Sequence, residues 1–200
     1  SARSFSVTTT LTVNGSFNPT AGTVITGGGA SSTVTGTGTI YVSTNSVAIG
    51  TQYTNFLGGI TTSTNTIEYS GTNQILTNQV YKNITISGSV TGAGSATVSG
   101  GAFTVSGTYN PTTGSNLIFS GTSTIGGAGT ISFRSITVGS GAGLTPSVSF
   151  SVQENWTNGG GTFTAGAYTV YFSGADSTTQ IFTGNTTFNN FTATTSAKSA

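Results

Sequence analysis

Three side chains in this 200-residue chain could do acid–base chemistry: Glu68, Glu154 and Asp176. Hydrolysis of a glycosidic bond needs two facing carboxyl groups, roughly 5–9.5 Å apart. Glu154 and Asp176 are close enough in sequence to approach across one turn of chain. Their settings argue against that role. Asp176 sits in Gly174-Ala175-Asp176-Ser177, which is turn chemistry. Glu154 stands two residues before Trp156, where related segments carry Gly15, Thr51 and Gly107. Calcium-assisted lyase chemistry would need clustered acids, and these are dispersed. The chain has no His, Cys or Met, so the usual catalytic triads, thiol chemistry and common zinc sites are excluded. Gly27-Gly28-Gly29 lacks the Lys-Ser/Thr and helix of a phosphate-binding loop. The chain reads as no enzyme, with no cofactor and no metal.

Binding chemistry is left. The aromatic residues are Trp156, Tyr41, Tyr53, Tyr69, Tyr81, Tyr109, Tyr168, Tyr171 and 12 Phe. An exposed row of them would stack on sugar rings, whereas rings lying on the apolar side of strands would form core ladders, which is the reading their setting favours. Flat Thr rows are the surface of ice-binding solenoids, and Thr8-Thr9-Thr10 or Thr192 to Thr195 would serve, but no Thr-x-Thr recurs at a fixed period. Asn14, Asn83, Asn155, Asn185 and Asn190 each head an Asn-x-Ser/Thr triplet, open to glycosylation in a host that glycosylates. In so Asn- and Thr-rich a sequence such triplets also arise by composition.

The elements that carry these residues are strands. Only 4% of residues are charged, against roughly 25% in an ordinary globular domain. That deficit could mean disorder, but disordered segments are poor in β-branched and aromatic residues. Here Val, Ile, Phe, Tyr and Thr alternate with small polar residues along most of the chain. Helical periodicity is absent and strand signals recur at short intervals between Gly, Asn and Ser-Gly junctions. A net charge of +1, with Arg3, Lys82, Arg134 and Lys198 scattered, gives no footprint for nucleic acid. No apolar run reaches the roughly 18 residues of a membrane helix, and the strands are shorter than those of an outer-membrane barrel. With no disulfide available, the fold must rest on packing and backbone hydrogen bonds. A Thr/Ser/Asn/Gly-rich surface points to a secreted, extracellular protein. No signal-peptide pattern opens the chain, so either one has been removed or the chain is a piece of something longer.

The strands come in an order that repeats. From Phe150 to Thr194 an aromatic in a polar setting, Asn155-Trp156, is followed by Thr169-Val170-Tyr171-Phe172-Ser173-Gly174. Gln180-Ile181 and Thr187-Phe188-Asn189-Asn190-Phe191-Thr192 follow. Tyr53, Thr66-Ile67-Glu68-Tyr69-Ser70-Gly71, Gln74-Ile75 and Tyr81 to Ile86 repeat that order. So do Tyr109, Asn116 to Gly121, Thr124-Ile125 and Ile131 to Val138. A fainter copy runs from Phe17 to Val42. The lead aromatics Phe17, Tyr53, Tyr109 and Trp156 are unevenly spaced, which suits a stack whose loops vary in length. The expectation is one all-β domain: a parallel β-solenoid of about four degenerate modules over residues 14–194, with a frayed tail at 195–200. A β-sandwich or jelly roll with an exchanged N-terminal strand is the alternative. Val170, Phe172, Ile181, Phe188 and Phe191 should point inward. Phe188 and Phe191 can both do so only if the chain bends at Asn189-Asn190.

Residues 1–13 read as one long strand ahead of the modules, with Phe5, Val7, Leu11 and Val13 on one face. It either docks on its own first module or pairs with a neighbouring subunit. The segments Asn155 to Asn158, Gly161-Thr162-Phe163, Thr169 to Gly174 and Thr187 to Thr192 resemble the strand-repeat regions of secreted bacterial surface and adhesin proteins. That resemblance implies a parallel β-helix in an adhesin, filament or surface-layer role, and carries over no catalytic residue. The functional expectation is an extracellular structural protein that polymerises with copies of itself. The alternatives are a monomeric carbohydrate-binding or adhesin module that meets surface polysaccharide, and an ice-binding solenoid.

Overall fold

Alternation such as Thr66-Ile67-Glu68-Tyr69 sends successive side chains to opposite sides of an extended chain. A four-residue strand cannot bury its apolar side alone; it must lie on others. In the computed structural model these strands wind into a parallel β-solenoid. The structure describes residues 3–27, 33–47, 49–54, 64–174 and 179–194.

The chain visits three faces in a fixed order. The first turn holds β1 (Arg3–Val7), β2 (Thr10–Thr12) and β3 (Ser16–Phe17), and the second β4 (Thr23–Gly27), β5 (Thr33–Thr35) and β6 (Thr39–Val42). The third carries a single helical turn, α1 (Ile49–Gln52), then β7 (Tyr53–Thr54) and β8 (Thr66–Tyr69). The fourth and fifth hold β9 (Gln74–Leu76), β10 (Val80–Tyr81), β11 (Asn83–Ile86), β12 (Ser89–Gly92), β13 (Ser95–Val98) and β14 (Ala102–Val105). The sixth and seventh hold β15 (Thr108–Pro111), β16 (Asn116–Phe119), β17 (Thr122–Gly126), β18 (Ser132–Phe133), β19 (Ser135–Val138) and β20 (Gly143–Pro146). The eighth holds β21 (Phe150–Val152), β22 (Trp156–Asn158) and β23 (Thr162–Phe163), and beyond it lie β24 (Thr169–Phe172), β25 (Phe182–Thr183) and β26 (Asn190–Ala193).

One face is an unbroken eight-stranded sheet, β3-β6-β8-β11-β14-β17-β20-β23, one strand per turn. A second face carries β1-β4-β7, then β9-β12-β15 and β18-β21-β24-β26; the third carries β2-β5 and β10-β13-β16-β19-β22-β25. Every pairing among the described residues is parallel, as between Ile67, Ile84 and Phe103. That excludes the sandwich and jelly roll, which are built from antiparallel strands.

The interior is a set of ladders. Ile40, Ile67, Ile84, Phe103 and Ile125 run in register along the first face and are fully buried. Aromatic rings continue the core towards the C-terminal end: Phe103 meets Phe133 at 5.6 Å, Phe133 meets Phe150 at 5.6 Å, and Trp156 meets Phe163 at 4.9 Å. The corner between the first and second faces is a Ser-Gly junction between β8 and β9, β11 and β12, and β14 and β15. Gly88 donates to the Tyr69 carbonyl at 3.0 Å, and Gly107 to that of Ile86 at 2.9 Å. A Cβ on Gly88 would overlap the carbonyl oxygen of Gly71, and one on Gly107 that of Gly88. Gly is required there because backbone stacks directly on backbone.

Two details differ from the expectation. The repeat is present, but the stacking unit is the turn, not the longer module. The step along the eight-stranded sheet is 27 residues from Ile40 to Ile67 and 17 from Ile67 to Ile84, so each module covers about two turns. The lead aromatics fall on different faces: Tyr109 in β15 on the second, Trp156 in β22 on the third. Residues 3–13 are also not one strand. The chain bends at Thr8 and Thr9, so β1 and β2 lie on different faces.

Candidate functional site

Glu68 is on β8 in the third turn, where its carboxylate accepts a hydrogen bond from the Ser87 hydroxyl at 2.6 Å. Glu154 follows β21 in the eighth. Five turns at about 4.8 Å each put roughly 24 Å between them, far beyond a hydrolytic pair. Asp176, the partner considered for Glu154, lies outside the described residues. Glu154 itself is buried at a corner. Its oxygens accept the Gly114 amide at 3.2 and 3.3 Å, and Arg134 stands 3.8 Å away. The Arg134 Nε–H donates to the Pro111 carbonyl at 3.2 Å. Three successive turns are thus tied by one charged pair. Among the described residues no group of acidic side chains is placed to hold a metal, and no helix is long and apolar enough to cross a membrane.

The tyrosines are mostly interior. Tyr53, Tyr69 and Tyr81 are fully buried, and Tyr109 nearly so. The Tyr53 hydroxyl donates to the Tyr41 carbonyl at 2.5 Å, and the Tyr69 and Tyr81 hydroxyls share a hydrogen bond of 2.9 Å. Burial, which disfavours the phenolate, pushes Tyr53, Tyr69 and Tyr109 well above the ordinary tyrosine range. It pushes Tyr81 up to about 12, with the hydrogen bonds from Tyr69 and Thr77 acting the other way. Trp156 is also buried, its indole N–H donating to the Thr186 hydroxyl at 2.9 Å. Tyr168 and Tyr171 are the exposed tyrosines; they lie at and beside β24.

Of the five sequon asparagines, Asn14, Asn185 and Asn190 are exposed. Asn83 and Asn155 are half-buried and engaged: Asn83 Oδ1 accepts the Ala102 amide at 3.0 Å, and Asn155 Oδ1 that of Ile181 at 3.2 Å. The outward row of the eight-stranded sheet reads Thr39, Thr66, Asn83, Ala102, Thr124, Thr145, so its Thr ladder is interrupted. Near the N-terminus, Thr10 meets Thr33 and Thr12 meets Thr35, each at 3.0 Å.

Among the described residues most of the exposed large apolar side chains lie at the two ends, Val80 on β10 being the exception. Phe5 pairs in register with Ile25, and Ile25 with Tyr53. Ile25 and Tyr53 are buried, so Phe5 belongs to an interior row, yet it is 52% exposed. It lines an open cleft of about 340 Å³ with Phe17, Pro19 and Ile25. Val7 and Leu11 are half-buried against the core and Val13 is buried. At the other end Phe191 pairs with Val170, and Val170 with Phe150. Those two are buried, while Phe191 is 48% exposed. Phe182 continues the row of Ile136 and Trp156 and is likewise exposed. Val170 and Phe172 point inward as expected, and Phe188 packs half-buried against the core. A bend at Asn189 brings the Phe188 and Phe191 rings to 5.5 Å. Ile181 is a correction, at 55% exposed. It lies just outside β25, near the end of the stack, and Phe191 is half-uncovered because no further described turn lies on it. Alternation along residues 5–13 was the signal for Phe5; Phe182 was missed because it stands in a two-residue strand, too short to show alternation.

No protein-family model, curated protein or solved structure matches this chain. The fold and surface define the class: an all-β parallel solenoid with short strands, few charges and apolar ends.

Proposed function

We propose that this chain is a structural, extracellular protein whose solenoids assemble into a filament, sheath or surface fibre. The observation that supports it most is the pair of apolar ends. An open sheet edge is a template for further strands, and here an interior-row phenylalanine is exposed at each end. Few charges oppose close approach of copies. A contact between two different ends generates an open fibre when the rotation between copies does not close a ring. The purified chain is expected to grow with concentration in light scattering and to show filaments in electron micrographs. Discrete monomers at high concentration, without filaments, would remove this reading. In that event the cleft beside Phe5 and Phe17 favours the second reading, a monomeric carbohydrate-binding or adhesin module, testable by retention on immobilised polysaccharide.

A further inference from the structure

Assembly by itself leaves open which surfaces meet and in what register; a specific joint between copies rests on the assembly reading. Among the described residues β1 is the outer strand of its sheet and β26 the outer strand of its own. Both occupy the second face: β26 lies on β24 there, and β1 precedes a third-face strand and then a first-face strand, as β4, β9, β12, β15, β18 and β21 do. Both run in the solenoid's common direction. Their inward positions are fixed by their neighbours, Phe5 by Ile25 and Phe191 by Val170.

We propose that copies join head to tail, β26 of one copy lying parallel on β1 of the next with Phe191 opposite Phe5. Asn190 then faces Ser4, Thr192 faces Ser6 and Ala193 faces Val7. Parity leaves two other registers. Placing Phe191 opposite Val7 runs Thr192 and Ala193 into the bend at Thr8 and Thr9. Placing it opposite Arg3 sets Asn190 against Ala2, outside the described residues, and breaks the interior row by putting Phe191 on Arg3 instead of on the row of Ile25. The chosen register gives all four residues of β26 a partner and continues the interior row as Phe150, Val170, Phe191, then Phe5, Ile25, Tyr53. No charged residue lies on β26 or between Ser4 and Val7, so nothing repels along the joint. The Phe5 cleft is where the incoming end is received.

The test uses the absence of native cysteine. Ser6 and Thr192 alternate with the inward residues, and partner Cα atoms in adjacent strands lie within the roughly 4.4–6.8 Å that a disulfide spans. Under mild oxidation the full-length S6C/T192C chain is expected to give a ladder of covalent multimers, and S4C/T192C, two residues out of register, to stay largely monomeric under denaturing electrophoresis. Polarity is tested with Phe5→Glu and Phe191→Glu. Each alone is expected to lose filaments, and an equimolar mixture to give dimers, because each variant keeps the end that the other lacks. Filaments in which the in-register pair fails to cross-link, or in which the control cross-links equally, overturn the joint while leaving assembly standing. Dimers from Phe191→Glu alone show a Phe5-to-Phe5 contact and also overturn it. No assembly of the unmodified chain overturns both readings, as does a monomer in which the chain's own tail protects β26 from exchange.

Discussion

Replacing Tyr81 with Phe removes one hydroxyl from the centre of the fold and strands another. Tyr69 closes β8 on the first face and Tyr81 closes β10 on the third, and their hydroxyls meet at 2.9 Å where no surface is exposed. Tyr81 also has the Thr77 side chain as a polar neighbour; Tyr69 has Tyr81. A buried polar group left without a partner costs about 1–3 kcal/mol, whereas an ordinary net hydrogen bond contributes about 0.5–1.5 kcal/mol. Tyr81→Phe should therefore cost about 1–3 kcal/mol, and Tyr69→Phe should cost less, because Tyr81 keeps Thr77. The double Phe variant removes both hydroxyls and should cost less than the sum of the two single variants. Alkali gives an independent check. Both groups have raised pKa values when folded, so their contribution is fully present below the unfolded value near 10 and is lost as pH rises above it. For Tyr81, held at about 12, the loss across that window is about 3 kcal/mol at 1.36 kcal/mol per unit. The double variant should lose stability with pH more gently, Tyr53 and Tyr109 supplying what remains. The assay is urea unfolding, read by fluorescence of the sole tryptophan, Trp156, and by far-ultraviolet circular dichroism. The two curves must coincide before energies are taken from them. Tyr69→Phe costing more than Tyr81→Phe, strict additivity, or an unchanged alkaline slope in the double variant would refute the reasoning.

Gly107→Ala should destabilise by about 1–3 kcal/mol, since its Cβ would overlap a stacked backbone carbonyl; Gly15→Ala, with open space around it, should stay within about 0.5 kcal/mol. Thermal melts of the two variants compare them directly. Phe133→Ala empties the middle of the aromatic column and should cost about 3–5 kcal/mol in urea unfolding; a loss below about 1 kcal/mol would mean the rings there are loosely packed. Glu154→Gln keeps the shape of the corner but removes its charge, and should lower stability by about 1 kcal/mol, with a smaller difference in high salt. The same substitution, and Asp176→Asn, should leave polysaccharide hydrolysis assays unchanged; lost turnover in either would restore the carboxylates as catalysts. Circular dichroism should show less than about a fifth helix.

The strands themselves were legible because alternation is local. Thr66 to Tyr69 and Thr169 to Phe172 show in their own residues which side chains must be covered, and the structure buries Ile67, Tyr69, Val170 and Phe172. Parallel stacking was legible from the ordered recurrence of such segments, most of them joined by Ser-Gly, Gly-Gly or Gly-Thr instead of the Asn-Gly of a hairpin. The Ser-Gly junctions also announced corners, since only Gly lets one backbone lie directly on another. The length of a turn was not legible. A strand's partner lies 17 to 27 residues away on the first face, and among Gly, Ser and Thr many registers look alike. The choice among them was made by interior volume and by carbonyl-to-glycine contacts such as Gly107 on Gly88, neither of which exists until the turns are wound. For the same reason the bend at Thr8 and Thr9 was hidden. Phe5, Val7, Leu11 and Val13 alternate as one strand would, yet a solenoid corner must turn there to carry β2 onto the third face. The exposure of Phe5, Phe182 and Phe191 was likewise decided by tertiary structure. Alternation along the chain assigns a side chain its parity, but only its place in the stack determines whether another turn lies over it.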